Sequence, residues 1–341
     1  MKKSRLPAEW EPHRACWLAW PHLADEWPGH FEGARDEIAG LAQQIATLGR
    51  EHVHLLVASP EDRALLEQRL RAEMSAKRIT LDESIAFGDA WTRDTLPFFS
   101  LREGKLVAQV FGFDGWGGKY LMPGDGELGA VVASRLGVET HQSPLWVEGG
   151  ALEVNGSGLG LTTEHSLFVR NAERTRAEVD STLSEALNLE QLVCLRGALE
   201  NDHTDGHIDT LARFVSPHVV VVMRPAKDDP NEAVMTSIHE QLVRASEDHG
   251  LDLRIEELPS AGAVYSDEGE LLPASYLNFY IANEAVLMPA YGVATDEDAR
   301  LALQAHFPAR PVYASPARHL ITGGGAVHCC THQEPLAQES R

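Results

Sequence analysis

Cysteine is scarce in this chain. Four residues, Cys16, Cys194, Cys329 and Cys330, stand among 341, too few for a disulfide scaffold in a chain of this size. A bridge between the adjacent Cys329 and Cys330 would strain the peptide joining them. Long apolar runs are lacking too. The N-terminal "ACWLAW" is too short for a signal peptide and is flanked by Pro12 and Pro21, and no stretch approaches membrane-spanning length. The expected compartment is therefore the reducing cytoplasm. Basic residues are in deficit: 29 Lys and Arg against 51 Asp and Glu give a formal net charge of −22. Such a surface repels nucleic acid and anionic membrane and attracts cations. Neither nucleic acid nor membrane is an expected partner, and a cationic small molecule is. No Gly/Ser linker or low-complexity stretch marks a domain boundary, and no strand runs into a complete G-x-G-x-x-G turn, which argues against a doubly wound dinucleotide fold.

What is present is a recurring helix followed by a short strand. Phe31, Ala34, Ile38, Leu41, Ile45 and Leu48 repeat at helical spacing, with Gly49 as a stop, before the strand "HVHLLVAS". Ser59, Pro60 and Asp62 open a second helix. Further helices are expected over 174–187, 231–249 and 296–306, each ahead of a strand: "LVCL", "LDLRIEEL" and "RPVYAS". Buried strands are expected at 218–223, 277–283 and 285–291, and Asn155-Gly156 signals a hairpin. The units resemble one another in pattern, not in letters. This suits one α/β domain built of pseudo-repeats.

Four stretches concentrate functional side chains: "DAWTRDTLPFF", "WVEGGALEV", "ENDHTDGHIDTLARF" and "ITGGGAVHCCTHQEP". His207 and Asp209 stand two apart and would share one face of a strand. A histidine beside a carboxylate can work as a general acid–base. His203 and His207 stand four apart, as in a helical zinc pair. Gly206 and Ile208 argue against a helix there, and on a strand the two would lie about 13 Å apart. The H-C-C-T-H segment also lacks C-x-x-C spacing, so no metal is expected. A cysteine nucleophile fits the four stretches better. The triple glycine would put Cys329 on a tight, exposed loop, His207 could move protons, and Glu148 could orient the imidazole. Asp94 and Asp209 could face a cation, for which a planar guanidinium is the best match.

Seven segments, from "LPAEWEPHRACWLAWP" through "WTRDTLPFF", "GWGGKY", "VEGGALEVNGSGLGLTTE", "TDGHIDTLARFV" and "ASYLNFYIAN" to "GGGAVHCCTHQEP", resemble in order the agmatine deiminase family. This is the Porphyromonas-type peptidylarginine deiminase family of the guanidino-modifying superfamily. The resemblance implies a five-fold pseudo-symmetric α/β propeller (a pentein) forming one domain over residues 1–341. It implies deimination of agmatine to N-carbamoylputrescine and ammonia through a covalent cysteine thiouronium, without cofactor. Cys329 matches the nucleophile, His207 the acid–base, Glu148 its orienting carboxylate, and Asp94 and Asp209 the pair that grips the guanidinium. Cys330 takes a position usually aliphatic and is expected to pack behind. Trp91, Arg93 and Trp116 would line the pocket. His203 stands where the family commonly carries Asp, so it is expected to bear on substrate choice. Rival readings are an amidinotransferase or dimethylarginine-type hydrolase, and a non-catalytic binder of a guanidino ligand. A homo-oligomer is left open.

Overall fold

The computed structural model describes residues 4–337. Five sheets share one plan: a first strand pairs antiparallel with a second, and the second pairs parallel with a third. A helix covers the crossover each time, because parallel neighbours cannot be joined by a tight turn. One such unit joins Phe98–Arg102, Lys105–Gly112 and Glu139–Trp146 through the helix Asp125–Leu136. The next joins Leu152–Val154, Leu159–Thr163 and Gln191–Leu195 through Arg176–Leu187. It contains the hairpin at Asn155-Gly156. The third joins Ala212–Ser216, Val219–Arg224 and Arg254–Pro259 through Glu232–Asp248. The fourth joins Tyr280–Ile281, Val286–Ala290 and Val312–Pro316 through Asp296–Gln304.

The fifth unit is made from both ends of the chain. His332–Pro335 pairs antiparallel with His13–Ala19, which lies parallel to His52–Leu56, with Ile79–Asp82 beyond. The helix Phe31–Thr47 covers this sheet. Its apolar stripe is the expected one: Ala34, Ile38, Leu41 and Ile45 are fully buried or nearly so, and each Ile or Leu contributes about 2 kcal/mol of burial. Phe31 and Leu48, at the ends, are half-buried.

Two expectations change. The strand read over 277–283 shrinks to Tyr280–Ile281, because the backbone turns just before it, with the Asn278 N–H donating to the Ser275 carbonyl at 3.3 Å. His207 and Asp209 are not on a strand: His207 precedes the single turn Ile208–Thr210, which holds Asp209.

The helix Phe31–Thr47 carries two glycines in opposite settings. A Cβ on Gly33 would sit 2.3 Å from the His319 ring, whereas one on Gly40 would meet nothing within 4 Å. Gly40→Ala is expected to stabilise the protein by about 0.5–1 kcal/mol, and Gly33→Ala to destabilise it by about 1–3 kcal/mol. Chemical denaturation of the two variants reads both, and effects of the same sign contradict this packing.

Candidate active site

Each of the five units sends one polar group to the same place, from the short turn that leads into its first strand. Asp94 precedes Phe98–Arg102, Glu148 precedes Leu152–Val154, and Asp209 precedes Ala212–Ser216. Asn278 precedes Tyr280–Ile281, and Cys329 precedes His332–Pro335. Residues far apart in sequence thus meet because they hold equivalent posts in successive repeats.

The approach of the turns depends on glycine. A Cβ on Gly150 would lie 2.5 Å from His207 Nδ1 and 3.1 Å from oxygens of both Asp94 and Asp209. Gly324, at φ +100°, occupies the left-handed region that side chains resist. Ahead of it, the buried carboxylate of Glu37 accepts from the backbone N–H groups of His319 (3.0 Å) and Leu320 (2.7 Å). This pins the start of the glycine turn to the Phe31–Thr47 helix. The exposed position expected for Cys329 is not found: it is packed in and only 6 % exposed. Its Sγ accepts from Asn278 Nδ2 at 3.1 Å and lies 3.8 Å from Asp209 Oδ2. Cys330 is fully buried in the apolar core and lines neither the cavity nor the recess described below.

Asp94 is held by neutral donors. Trp116 Nε1 reaches Oδ2 at 3.0 Å, and the Gly150 N–H reaches Oδ1 at 2.8 Å. Asp209 Oδ2 takes Asn278 Nδ2 at 3.1 Å and His328 Nδ1 at 2.7 Å. His207 is fully buried, with Nδ1 3.8 Å from Asp94 Oδ2 and Nε2 3.9 Å from Glu148 Oε2. Both ring nitrogens, Glu148 Oε2 and Asp209 Oδ1 have no hydrogen-bond partner among the described residues. Buried polar groups normally find partners, so four orphans at one point mark a site built for a ligand.

The electrostatics follow from this crowding. Burial opposes a charged His207, but Asp94, Glu148 and Asp209 outweigh it and raise its pKa to about 9. Burial, reinforced by Asp209 and Asp94, holds the Cys329 thiol well above its ordinary range. Burial also raises Asp94, an effect that neighbouring His207 only partly offsets. Glu148 resists the same burial and is lowered by His207 and Arg170, and Asp209 is lowered chiefly by its bond to His328. The site therefore has a neutral thiol and three carboxylates set against the one imidazolium of His207.

A cavity of about 200 Å³ opens over this cluster, with Cys329, Asp94, Trp91 and Trp116 in its wall. A recess of about 10 Å³ lies beside Cys329, His207, Asp209 and Asn278. His203 is at the mouth, exposed and stacked on Tyr120 with ring centroids 5.5 Å apart, among Asp25, Glu26 and Asp89. It shares nothing with the buried His207, and among the described residues no group of three His, Cys, Asp or Glu side chains is placed to hold a metal ion. Arg93 departs from its expected place. Its guanidinium lies behind the site, bonded to the His328 carbonyl and Gln333 and facing Glu9, so it does not line the cavity.

Several members of the site were missed in the sequence. Asn278 bridges Cys329 and Asp209. His328 bridges Asp209 to Glu9 at 2.7 Å on each side. Arg213 stands behind them between Glu9 and Glu153. The legible signal was a charged or amide residue inside an otherwise apolar run, as in "LARFV" and "YLNFY".

Comparisons with known proteins identify the family. The Porphyromonas-type peptidyl-arginine deiminase family profile matches residues 5–335. An agmatine deiminase of Pseudomonas aeruginosa (strain LESB58) is 30% identical over 363 residues, covering 98% of this chain and 96% of the relative. The solved agmatine deiminase of Enterococcus faecalis superposes with a TM-score of 0.89 at 25% identity, over 98% of this chain and 96% of that one. DDAH of Pseudomonas aeruginosa, at 11% identity and a TM-score of 0.51 over 94% of this chain and 99% of that one, shares the fold alone. The fold is mixed α/β and related to the pentein enzymes. All five turns that build the site lie inside the matched residues, and the chain belongs to the Porphyromonas-type peptidyl-arginine deiminase family.

Proposed function

We propose that this protein is a cysteine-dependent hydrolase that deiminates a small guanidino compound, agmatine above all, to N-carbamoylputrescine and ammonia. The observation that carries the reading is a buried thiol at a cluster of three carboxylates, Asp94, Glu148 and Asp209, around one imidazole that has no hydrogen-bond partner among the described residues. The name agmatine deiminase on relatives that span nearly the whole chain supports the substrate. We read the chain as one catalytic domain whose five units stand around a pseudo-five-fold axis, as an α/β propeller working in the cytoplasm.

In this reading the guanidinium lies between Asp94 and Asp209, with its carbon over Cys329 Sγ. Its positive charge offsets the two carboxylates that held the thiol neutral. The thiol then gives its proton to solvent, and substrate binding makes the nucleophile. Sulfur adds to the guanidinium carbon. The carbon–nitrogen bond breaks as the protonated His207 supplies the proton with which ammonia departs. An S-alkylthiouronium remains on Cys329. The recess beside His207 and Cys329 has room for about one water. His207, now neutral, takes a proton from that water as its oxygen adds to the same carbon. Collapse breaks the carbon–sulfur bond as the hydroxyl proton of the adduct passes to the departing sulfur, which restores the neutral thiol and frees the ureido product. Glu148 keeps the imidazole ring aimed and favours its protonated form, while Trp91 and Trp116 wall the guanidinium plane. No step calls for a metal or an organic cofactor.

Incubation with agmatine, arginine and peptidyl-arginine, with ammonia and product mass as readouts, tests the reading. Turnover of agmatine is expected, reduced roughly a thousandfold or more in Cys329→Ser and largely kept in Cys330→Ser. No ammonia from any guanidine, or equal loss in the two variants, would overturn it. A second expectation concerns pH. The folded pKa of His207 is raised, so the protonated acid persists up to about pH 9 and is lost above it. The log kcat/KM profile for agmatine should fall on that limb. Glu148→Gln removes one of the three carboxylates responsible and should move the limb down by about one unit. A limb near the ordinary histidine value in the unmodified enzyme would contradict the electrostatics of the site.

A further inference from the structure

Arg170 lies behind Glu148 with its side chain almost wholly buried and no place in the cavity wall. Its three nitrogens are all engaged. Nε donates to Glu148 Oε1 at 2.7 Å, Nη1 to Asp205 Oδ2 at 2.8 Å, and Nη2 to the Thr204 carbonyl at 2.8 Å. Asp205 also receives Lys119 Nζ at 2.8 Å. Lys119 follows the segment that presents Trp116, at the cavity wall, and precedes Tyr120, at its mouth. That segment is unusual: Trp116, Gly117 and Gly118 have φ of 57°, 81° and 80°, a left-handed run that a tryptophan does not adopt unaided. It is held at one end by the Trp116 bond to Asp94 and at the other by Lys119 on Asp205. Arg170 lies under its middle, where a Cβ on Gly117 would be 3.1 Å from Nη1.

At its other end Arg170 constrains Glu148. A free carboxylate next to an imidazole closes to hydrogen-bond distance, yet Glu148 Oε2 stays 3.9 Å from His207 Nε2 although neither atom has another partner among the described residues. The strong bond from Arg170 to the opposite oxygen accounts for the gap, since a charge-assisted pair of this length outweighs an additional contact that would tilt the carboxylate away from it. We propose that Arg170 is a positioning residue that holds Glu148 off His207 and ties this spacing to the loop carrying Trp116. Filling the cavity and seating Trp116 on Asp94 would thereby be felt at the acid–base pair.

The consequence for His207 can be worked out from what faces it. Asp94 comes from the turn Thr92–Thr95, Glu148 from the turn before Gly149–Ala151, and Asp209 from its own turn. The Cys329 thiol shares the recess. One layer behind stand the cations Arg170 on Glu148 and Arg213 beyond Asp209, with His328 bonded to Asp209. Lys119 and Asp205 lie beyond Arg170. Loss of the Arg170 cation leaves Glu148 uncompensated and free to close on the imidazole. Both changes favour imidazolium, which makes His207 a weaker acid toward the leaving ammonia.

The test is Arg170→Gln, read in the free enzyme by NMR titration of the His207 imidazole, identified as the signal absent in His207→Gln. The midpoint is expected to rise by roughly half to one pH unit. In the kinetic arm, which rests on the deiminase reading, kcat for agmatine is expected to fall roughly tenfold with KM changed less than about twofold. An unchanged midpoint, with activity lost only in proportion to folded protein, overturns the proposal. If the unmodified enzyme releases no ammonia, the deiminase reading fails while the titration still decides the positioning role. Where Arg170→Gln does not fold, Arg170→Lys is read instead. It keeps a cation beside Glu148 but cannot also span to Thr204 and Asp205, so the midpoint should stay and kcat fall several-fold, and full activity would overturn the coupling.

Discussion

Two carboxylates, Asp94 and Asp209, are buried within reach of one thiol, and with Glu148 they share the single imidazolium of His207. Taking a carboxylate out of water costs several kcal/mol unless another charge or strong donors compensate. Asp94 receives only the indole of Trp116 and a backbone N–H, and its pKa is raised by burial. Asp209 is better served, yet one of its oxygens has no partner among the described residues. The arginines nearby are directed elsewhere: Arg213 to Glu9 and Glu153, Arg93 to the His328 carbonyl and Gln333, Arg170 to Glu148. In the proposed reading such a site takes up a planar cation, and burial together with the field of Asp209 and Asp94 keeps its thiol protonated until that cation arrives. A thiol held neutral in this way is also protected from oxidation, since oxidants attack the thiolate.

The architecture makes this charge arrangement reachable. A repeat of hairpin, crossover helix and parallel strand puts a turn at the same post in every unit, and the meeting of five turns needs no long insertion. The pairing of His332–Pro335 with His13–Ala19 closes the set and carries Cys329 to Asp94, where the Arg93 N–H donates to the Cys329 carbonyl at 3.1 Å. Thr92 strengthens this seam, its hydroxyl donating to the Cys330 carbonyl at 2.8 Å. The backbone that follows the Cys329 side chain is therefore fixed by the very turn that supplies its carboxylate neighbour.

Much of this was legible in the sequence, for physical reasons that differ by element. The Phe31–Thr47 and Glu232–Asp248 helices show a clean apolar stripe because one face packs on a sheet and the other meets water. The Asp125–Leu136 helix went unread because Gly126 and Gly129 blur its pattern. Gly129 is there for close approach, since a Cβ on it would be 3.1 Å from the Thr95 carbonyl. The residues proposed to react stood out as polar groups among glycines, but their geometry did not. His207 and Asp209 were matched to a strand's alternation when a single turn presents them. Arg93 looked like a pocket residue from its place beside Asp94, yet successive residues of a short turn point to different sides. Arg170, Glu9 and His328 gave no signal by themselves, since their partners lie at least 22 and as many as 319 residues away.

The central claim is that the substrate's own charge ionises Cys329. It is tested most directly by the ultraviolet absorbance of the thiolate at neutral pH, taken as the difference between the enzyme and Cys329→Ser and followed by stopped flow on mixing with agmatine. The account predicts no thiolate signal from Cys329 in the free enzyme and a signal that rises with binding, ahead of ammonia release. A thiolate signal of full size before any guanidinium is added would contradict it.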